Sequence, residues 1–397
     1  MDGVALGDQR LNARAARLLR QRWTRPGHSF DCRFDSPAEA KGAYHLLENP
    51  RGAIHLASLL APHQQQTARR MAAEAVGLLA QDTTALSYNP LRQTTGLGPI
   101  GEAGRRGLFR HSLQACRLDG IPLGTAWAEV WARPPESDTA RRNEQSVDEQ
   151  ESGRWLRAFP AGSERARQMP QPQGVVCGDR EADIYELDDQ IQAAPKNVHG
   201  RVRGQPDRCL SDGARLLATL AGRPVDGELA VAVPRRAGRP ARTATLELRW
   251  QAVELKPPAV ALKKSWPPLK VCAVLAREGG APAGGEGIDW LLLAIWPVTS
   301  LKMARRLVRW YALRWGIECW HKVRKGVCGV ERRQLQSARA LDRALALDMI
   351  IASRVLLLTR LGRHPPDRPA ELGYTPAELA VLDVNKKRSP KILPAPS

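Results

Sequence analysis

Four residues in the last third of the chain have types and spacing that could do chemistry. Tyr311, Arg314, Glu318 and Lys325 stand at i, i+3, i+7 and i+14. On an α-helix of about 3.6 residues per turn, the four share one narrow sector. A carboxylate there can ligate a divalent metal, while the guanidinium, ammonium and phenol can hold phosphate oxygens. An ordinary salt-bridged surface helix has the same spacing, so the choice turns on other acids. Two stand out. Asp82 closes the apolar run Ala75 to Gln81, and Asp179 closes Gly174 to Gly178 before a helix-like stretch, Arg180 to Leu187. Read as buried strands, both runs deliver an aspartate at their C-terminal end, the edge where open α/β sheets bind ligands. A few convergent carboxylates can hold two divalent ions roughly 3.5–4 Å apart. Each aspartate taken alone reads better as a cap or turn residue.

The surrounding periodicity supplies elements to carry these residues. Leu6 to Trp23 reads as an amphipathic helix capped by Asp8, with Arg10, Arg14, Arg17 and Gln21 on one face and Leu11, Ala15, Leu18 and Arg22 on the next. That basic face could track DNA phosphates. Helices follow over Ser36–Leu47 and Arg51–Ala73, the second broken or kinked at Pro62. Leu108–Arg117 and Pro122–Trp131 read as strands joined by an Asp119-Gly120 turn, and Glu151–Phe159 as a short helix. Val198–Arg203 is a further strand. Glu228–Val233, Thr243–Gln251, Leu269–Arg277 and Asp289–Trp296 then form a β-rich stretch, before a strong apolar helix over Ala338–Leu361. The basic, Pro-containing tail from Lys386 is expected to be disordered.

Composition narrows the partner. The chain has 397 residues, with 60 Lys plus Arg against 41 Asp plus Glu and a formal net charge of +19. Such an excess calls for a polyanion. No apolar run reaches the roughly 20 residues of a membrane span. The start, Met1 to Val4, carries no secretory pattern. Nucleic acid is therefore favoured over membrane. Seven cysteines without a C-x-x-C pair argue against a zinc site or disulfide framework and fit a reducing cytoplasm.

Taken together, the motifs resemble the DDE transposases of the insertion-sequence-four family, which includes the transposase of transposon five. Asp82-Thr83-Thr84-Ala85-Leu86-Ser87-Tyr88 and Asp179-Arg180-Glu181-Ala182-Asp183-Ile184 resemble the segments around that family's two catalytic aspartates. Tyr311, Arg314, Glu318 and Lys325 match its Tyr-x2-Arg-x3-Glu-x6-Lys signature without a spacing departure. Glu151 to Leu156 and Trp290 to Leu293 also resemble family segments, and the likeness runs from about Leu6 to about Leu382.

The resemblance implies an α/β fold: a ribonuclease-H-like core over residues 71–375 with a β-rich insertion at about 226–300, preceded by a small all-α DNA-binding module at 1–70. It implies Asp82, Asp179 and Glu318 as catalytic ligands for magnesium, with manganese as a substitute. Tyr311, Arg314 and Lys325 would grip phosphates near the cleaved end, Arg201 would contact DNA, and Trp290 would receive a flipped base. The activity implied is cut-and-paste transposition of double-stranded DNA in a bacterial cytoplasm: nicking, hairpin formation, hairpin opening and strand transfer. The chain starts close to the motif at Leu6 and ends soon after Gly373 to Pro376, leaving a short basic tail at 376–397 where relatives carry pairing helices. A monomer in free solution and a DNA-dependent homodimer are the expectation. Two other readings stay open: a ribonuclease-H-like nuclease without strand transfer, and a catalytically silent DNA-binding remnant of a mobile element.

Overall fold

A computed structural model describes residues 3–24, 26–27, 34, 36–101, 104–134, 151–167, 173–194, 198–235, 240–258, 266–280, 287–363 and 369–388. Three helices come first: α1 (Gln9–Thr24), α2 (Pro37–Leu47) and α3 (Leu56–Ala72). Asp8 caps α1 by accepting from the amides of Arg10 and Leu11, and Ser36 caps α2. The buried face of α1 is Leu11, Ala15, Leu18 and Arg22, while Arg10, Arg14 and Arg17 are exposed. The helix α3 runs through Pro62 without a break, so of the expected break or kink the break is excluded.

Among the described residues the rest is organised on one sheet of ten strands. They are β1 (Val76–Ser87), β2 (Gly98–Pro99), β3 (Arg106–Cys116), β4 (Pro122–Trp131), β5 (Gln173–Gly178), β6 (Val198–Arg203), β7 (Gly227–Val233), β8 (Arg242–Leu255), β9 (Leu269–Glu278) and β10 (Asp289–Ala294). Their order is β2-β3-β1-β5-β6-β10-β9-β8-β7, with β4 also on β3. Three antiparallel strands, β4-β3-β1, thus adjoin two, β5 and β6, that run parallel to β1. Between β4 and β5 the chain passes through α4 (Gly153–Arg167), and between β5 and β6 through α5 (Tyr185–Gln192). The four strands of the β-rich stretch do not form a separate sheet, because β10 pairs antiparallel with β6 and continues the same one. A short helix, α6 (Leu216–Ala221), precedes them.

The β3–β4 hairpin turns at Gly120, whose φ of +82° suits glycine. Gly124 has φ +136°, and a Cβ there would come within 2.2 Å of Thr67 Oγ1, so only glycine lets α3 approach β4 this closely.

After the sheet come α7 (Leu301–Leu313), α8 (Trp315–Gly326), α9 (Ala338–Leu361) and α10 (Pro376–Arg388). The expectation of one helix across Tyr311–Lys325 is corrected: it breaks at Arg314. There the bonds tighten to i→i+3, with Arg314 N donating to Tyr311 O at 2.9 Å and Ile317 N to Arg314 O at 3.0 Å. Gly316, a weak helix former, follows at once. The basic tail is also partly corrected, because α10 continues through Lys386 and Lys387 to Arg388; the remainder of the tail lies outside the described residues.

The N-terminal helices share an apolar core with the C-terminal ones: Leu18, Leu46 and Leu59 pack with Ile317, Trp320 and the long α9. Polar clamps fix that packing. Arg343 of α9 donates to the carbonyls of Leu47, Asn49 and Ile54, holding the α2–α3 connection. Asp348 of α9 is fully buried and accepts from Arg22 of α1 and from Arg333, at 3.1 Å for the latter. Burial alone would raise the Asp348 carboxyl, but the two guanidinium groups more than offset it and hold it below the usual carboxylate range. Trp320 Nε1 donates to Ser353 Oγ at 3.1 Å, tying α8 to α9.

Candidate active site

Strands β1 and β5 are parallel, with Ala80 in register with Cys177. Asp82 and Asp179 each stand two residues further on, so they reach the same level and the same face of the sheet. Asp82 is not a strand-end residue as expected. β1 continues to Ser87, and Asp82 pairs with Ser112 of β3. The β-branched Thr83 and Thr84 extend the strand because β3 is long enough to pair with them, whereas β5 stops at Gly178. Asp179 does leave a strand: its side chain accepts from Glu181 N at 2.9 Å and caps a single turn, Arg180–Ala182.

Glu318 approaches from the first turn of α8. Arg314, in the break before it, lies 2.9 Å from Glu318 and within electrostatic reach of Asp82 and Asp179. The three predicted acids are thus brought around one guanidinium. Burial pushes the Asp82 carboxyl up to about 6 against the pull of Arg314. Asp179 is raised by burial and then by the Asp82 charge, and Glu318 by burial despite its bond to Arg314. Burial would lower Arg314, but Tyr311 and the three acids more than compensate. Among the described residues no three of His, Cys, Asp and Glu lie together so as to hold a metal ion; what links the three predicted acids is their shared electrostatic interaction with Arg314.

The remaining predicted residues fall at different distances from this centre. Tyr311 is buried, its phenol raised by burial with Arg314, Arg203 and Asp179 nearby. Half-buried Trp290 of β10 meets it edge-on, with ring centroids 5.2 Å apart. Lys325 Nζ donates to Ala85 O at 2.7 Å and lies 3.5 Å from Glu331, so it pins α8 to the far end of β1. Arg201 lies in β6, in register with Cys177 and Ala294. Arg10, Arg14 and Arg17 lie on the exposed face of α1, where Arg17 pairs with Glu39 at 2.9 Å.

Sequence reasoning missed three neighbours. His321 Nε2 contacts Asp82 Oδ2 at 3.1 Å, and its Nδ1 meets Arg110 of β3. Burial, then Lys325 and Arg314, push His321 down to about 3, so the ring is neutral. Arg203 sits near the Tyr311 phenol. The three-residue step from Glu318 to His321 puts both on one helical side, and that spacing was the available signal. Nothing local pointed to Arg110, which reaches the site through strand pairing.

Residues 1–52 match the family model described as transposase DNA-binding. The match supports a transposase whose N-terminal segment binds DNA. Among solved structures the chain is similar to a piggyBac transposase in a synaptic complex with hairpin DNA, at 10% identity and a TM-score of 0.39, covering 98% of this chain and 78% of that one. At that score the likeness says nothing about activity. No helix among the described residues is long and apolar enough to cross a membrane.

Proposed function

We propose that the chain is a cut-and-paste DNA transposase that nicks transposon ends, forms and opens hairpins, and transfers strands into target DNA. The observation that carries the reading is that Arg314 interacts with Asp82, Asp179 and Glu318 together, beside a sheet whose β4-β3-β1-β5-β6 order supports reading it as a ribonuclease-H-like core. The match of residues 1–52 supports the DNA partner, as does the net charge of +19.

The donor set fits a hard divalent cation. Three carboxylates offer oxygen ligands, the class magnesium prefers. Burial lifts all three, the Asp82 charge adds to the lift of Asp179 and Glu318, and a dication would relieve that repulsion. Magnesium, or manganese in its place, supplies Lewis-acid chemistry at the scissile phosphate when bound. Asp82, Asp179 and Glu318 would hold it. Arg314 is placed to exchange Glu318 for a phosphate oxygen, since a guanidinium fork suits either. Half-buried Trp290, packed edge-on against buried Tyr311, would take an unstacked base and so ease the sharp bend of a hairpin. Exposed Arg10 and Arg14 would follow duplex phosphates further from the cut.

A strand-transfer assay with precleaved ends tests this against the simpler nuclease. Joined products in the presence of magnesium support transposition; metal-dependent cutting without joining would favour the nuclease, and binding without cutting the silent remnant.

A further inference from the structure

Arg110 is fully buried on β3, where its guanidinium lies 4.4 Å from the Trp320 ring centroid. Its Nε and Nη1 have no hydrogen-bond partner among the described residues, and no carboxylate there forms an ion pair with it. Burying a cation without an acid is costly. The contact it does make is from Nη2 to Nδ1 of His321. Arginine has only donors, so Nδ1 must accept. The neutral ring then carries its proton on Nε2, which donates to Asp82 Oδ2 at 3.1 Å. The opposite tautomer would set donor against donor at Arg110 and acceptor against acceptor at Asp82.

We propose that His321 is a positioning residue for Asp82: Arg110 fixes its tautomer, so that Nε2–H holds Oδ2 and leaves Oδ1 for a divalent metal. This rests on Asp82 being a metal ligand. The relay runs across three elements, from β3 through α8 to β1, so it also sets the distance between Glu318, one turn before His321 on α8, and the sheet. A carboxylate locked in one rotamer binds metal without first losing its freedom, and partners of this outer kind typically alter metal affinity or activity about 10–100-fold.

Two measurements on the full chain test it. Nitrogen-15 spectra of histidine-labelled protein, with His321 assigned by its loss in His321→Gln, are expected to show a neutral ring protonated at Nε2. Protonation at Nδ1 would overturn the proposal, and the tautomer itself is read on the wild-type protein. Mn2+ titration followed by electron paramagnetic resonance is the second. His321→Leu is expected to weaken Mn2+ binding about 10–100-fold, while His321→Gln, whose amide N–H can reach Asp82, restores most of it. Equal affinity in the wild type and His321→Leu would sink the relay alone. No Mn2+ binding by the wild type would remove the metal site itself, and the relay's purpose with it.

Discussion

The Arg314 guanidinium and the Glu318 carboxylate meet at 2.9 Å across the break between α7 and α8. The same guanidinium also interacts electrostatically with Asp82 and Asp179. Its removal should therefore act twice, on acid crowding and on phosphate grip. Arg314→Ala is expected to slow single-turnover DNA cleavage about 10²–10³-fold, the usual effect of losing one preorganised donor. Arg314→Lys should recover only part, because an ammonium lacks the fork. Cleavage by Arg314→Ala at the wild-type rate would show that the residue is only a helix-break ion pair.

The three acids make a sharper prediction. Asp82→Ala, Asp179→Ala and Glu318→Ala should each abolish magnesium-dependent cleavage. Each should leave DNA affinity nearly unchanged in a gel-shift titration, because most affinity comes from Lys and Arg contacts to phosphate. Any one variant that nicks normally drops out of the site.

Trp290 separates hairpin formation from the first cut. A stacked base is worth roughly 1–3 kcal/mol, so Trp290→Ala should slow hairpin formation about 5- to 160-fold while first-strand nicking changes little. Because Trp290 packs on Tyr311, the melting temperature must be measured alongside. A variant that does not fold would assign the ring to the core instead.

Asp348 predicts how the fold responds to acid. Arg22 and Arg333 hold its carboxyl below the usual range, overcoming burial. A depressed carboxyl contributes stability that is complete above the unfolded value, near pH 4, and is lost as pH falls through the folded value. Asp348→Ala leaves buried guanidinium groups uncompensated and should cost about 3–5 kcal/mol. Asp348→Asn should also flatten the fall in stability below about pH 4, measured by denaturant titration. An unchanged slope would mean that other carboxylates govern acid unfolding.

Much of this was legible in the chain because the signals are local. The buried stripe of α1, the Asp8 cap, the limits of β6 and of α9, and the hairpin at Gly120 all follow from periodicity and turn chemistry. What escaped depends on contacts distant in sequence. Asp82 sits mid-strand because β3 outreaches β5, and no pattern within β1 reports its partners' lengths. The four strands from Gly227 to Ala294 were readable as strands, but not as a continuation of the main sheet, since that rests on β10 choosing β6 as its neighbour. Arg110 looks like any strand residue until its side chain is seen under Trp320.

Supercoiled-plasmid nicking shows whether Asp82, Asp179 and Glu318 cut DNA with a divalent metal. A plasmid carrying the DNA from both flanks of the gene is incubated with purified wild-type protein and with Asp179→Ala, with magnesium and with a chelator. Nicks in the flanking DNA are expected only for the wild type with magnesium. Equal nicking by Asp179→Ala, or nicking that survives chelation, would contradict the account.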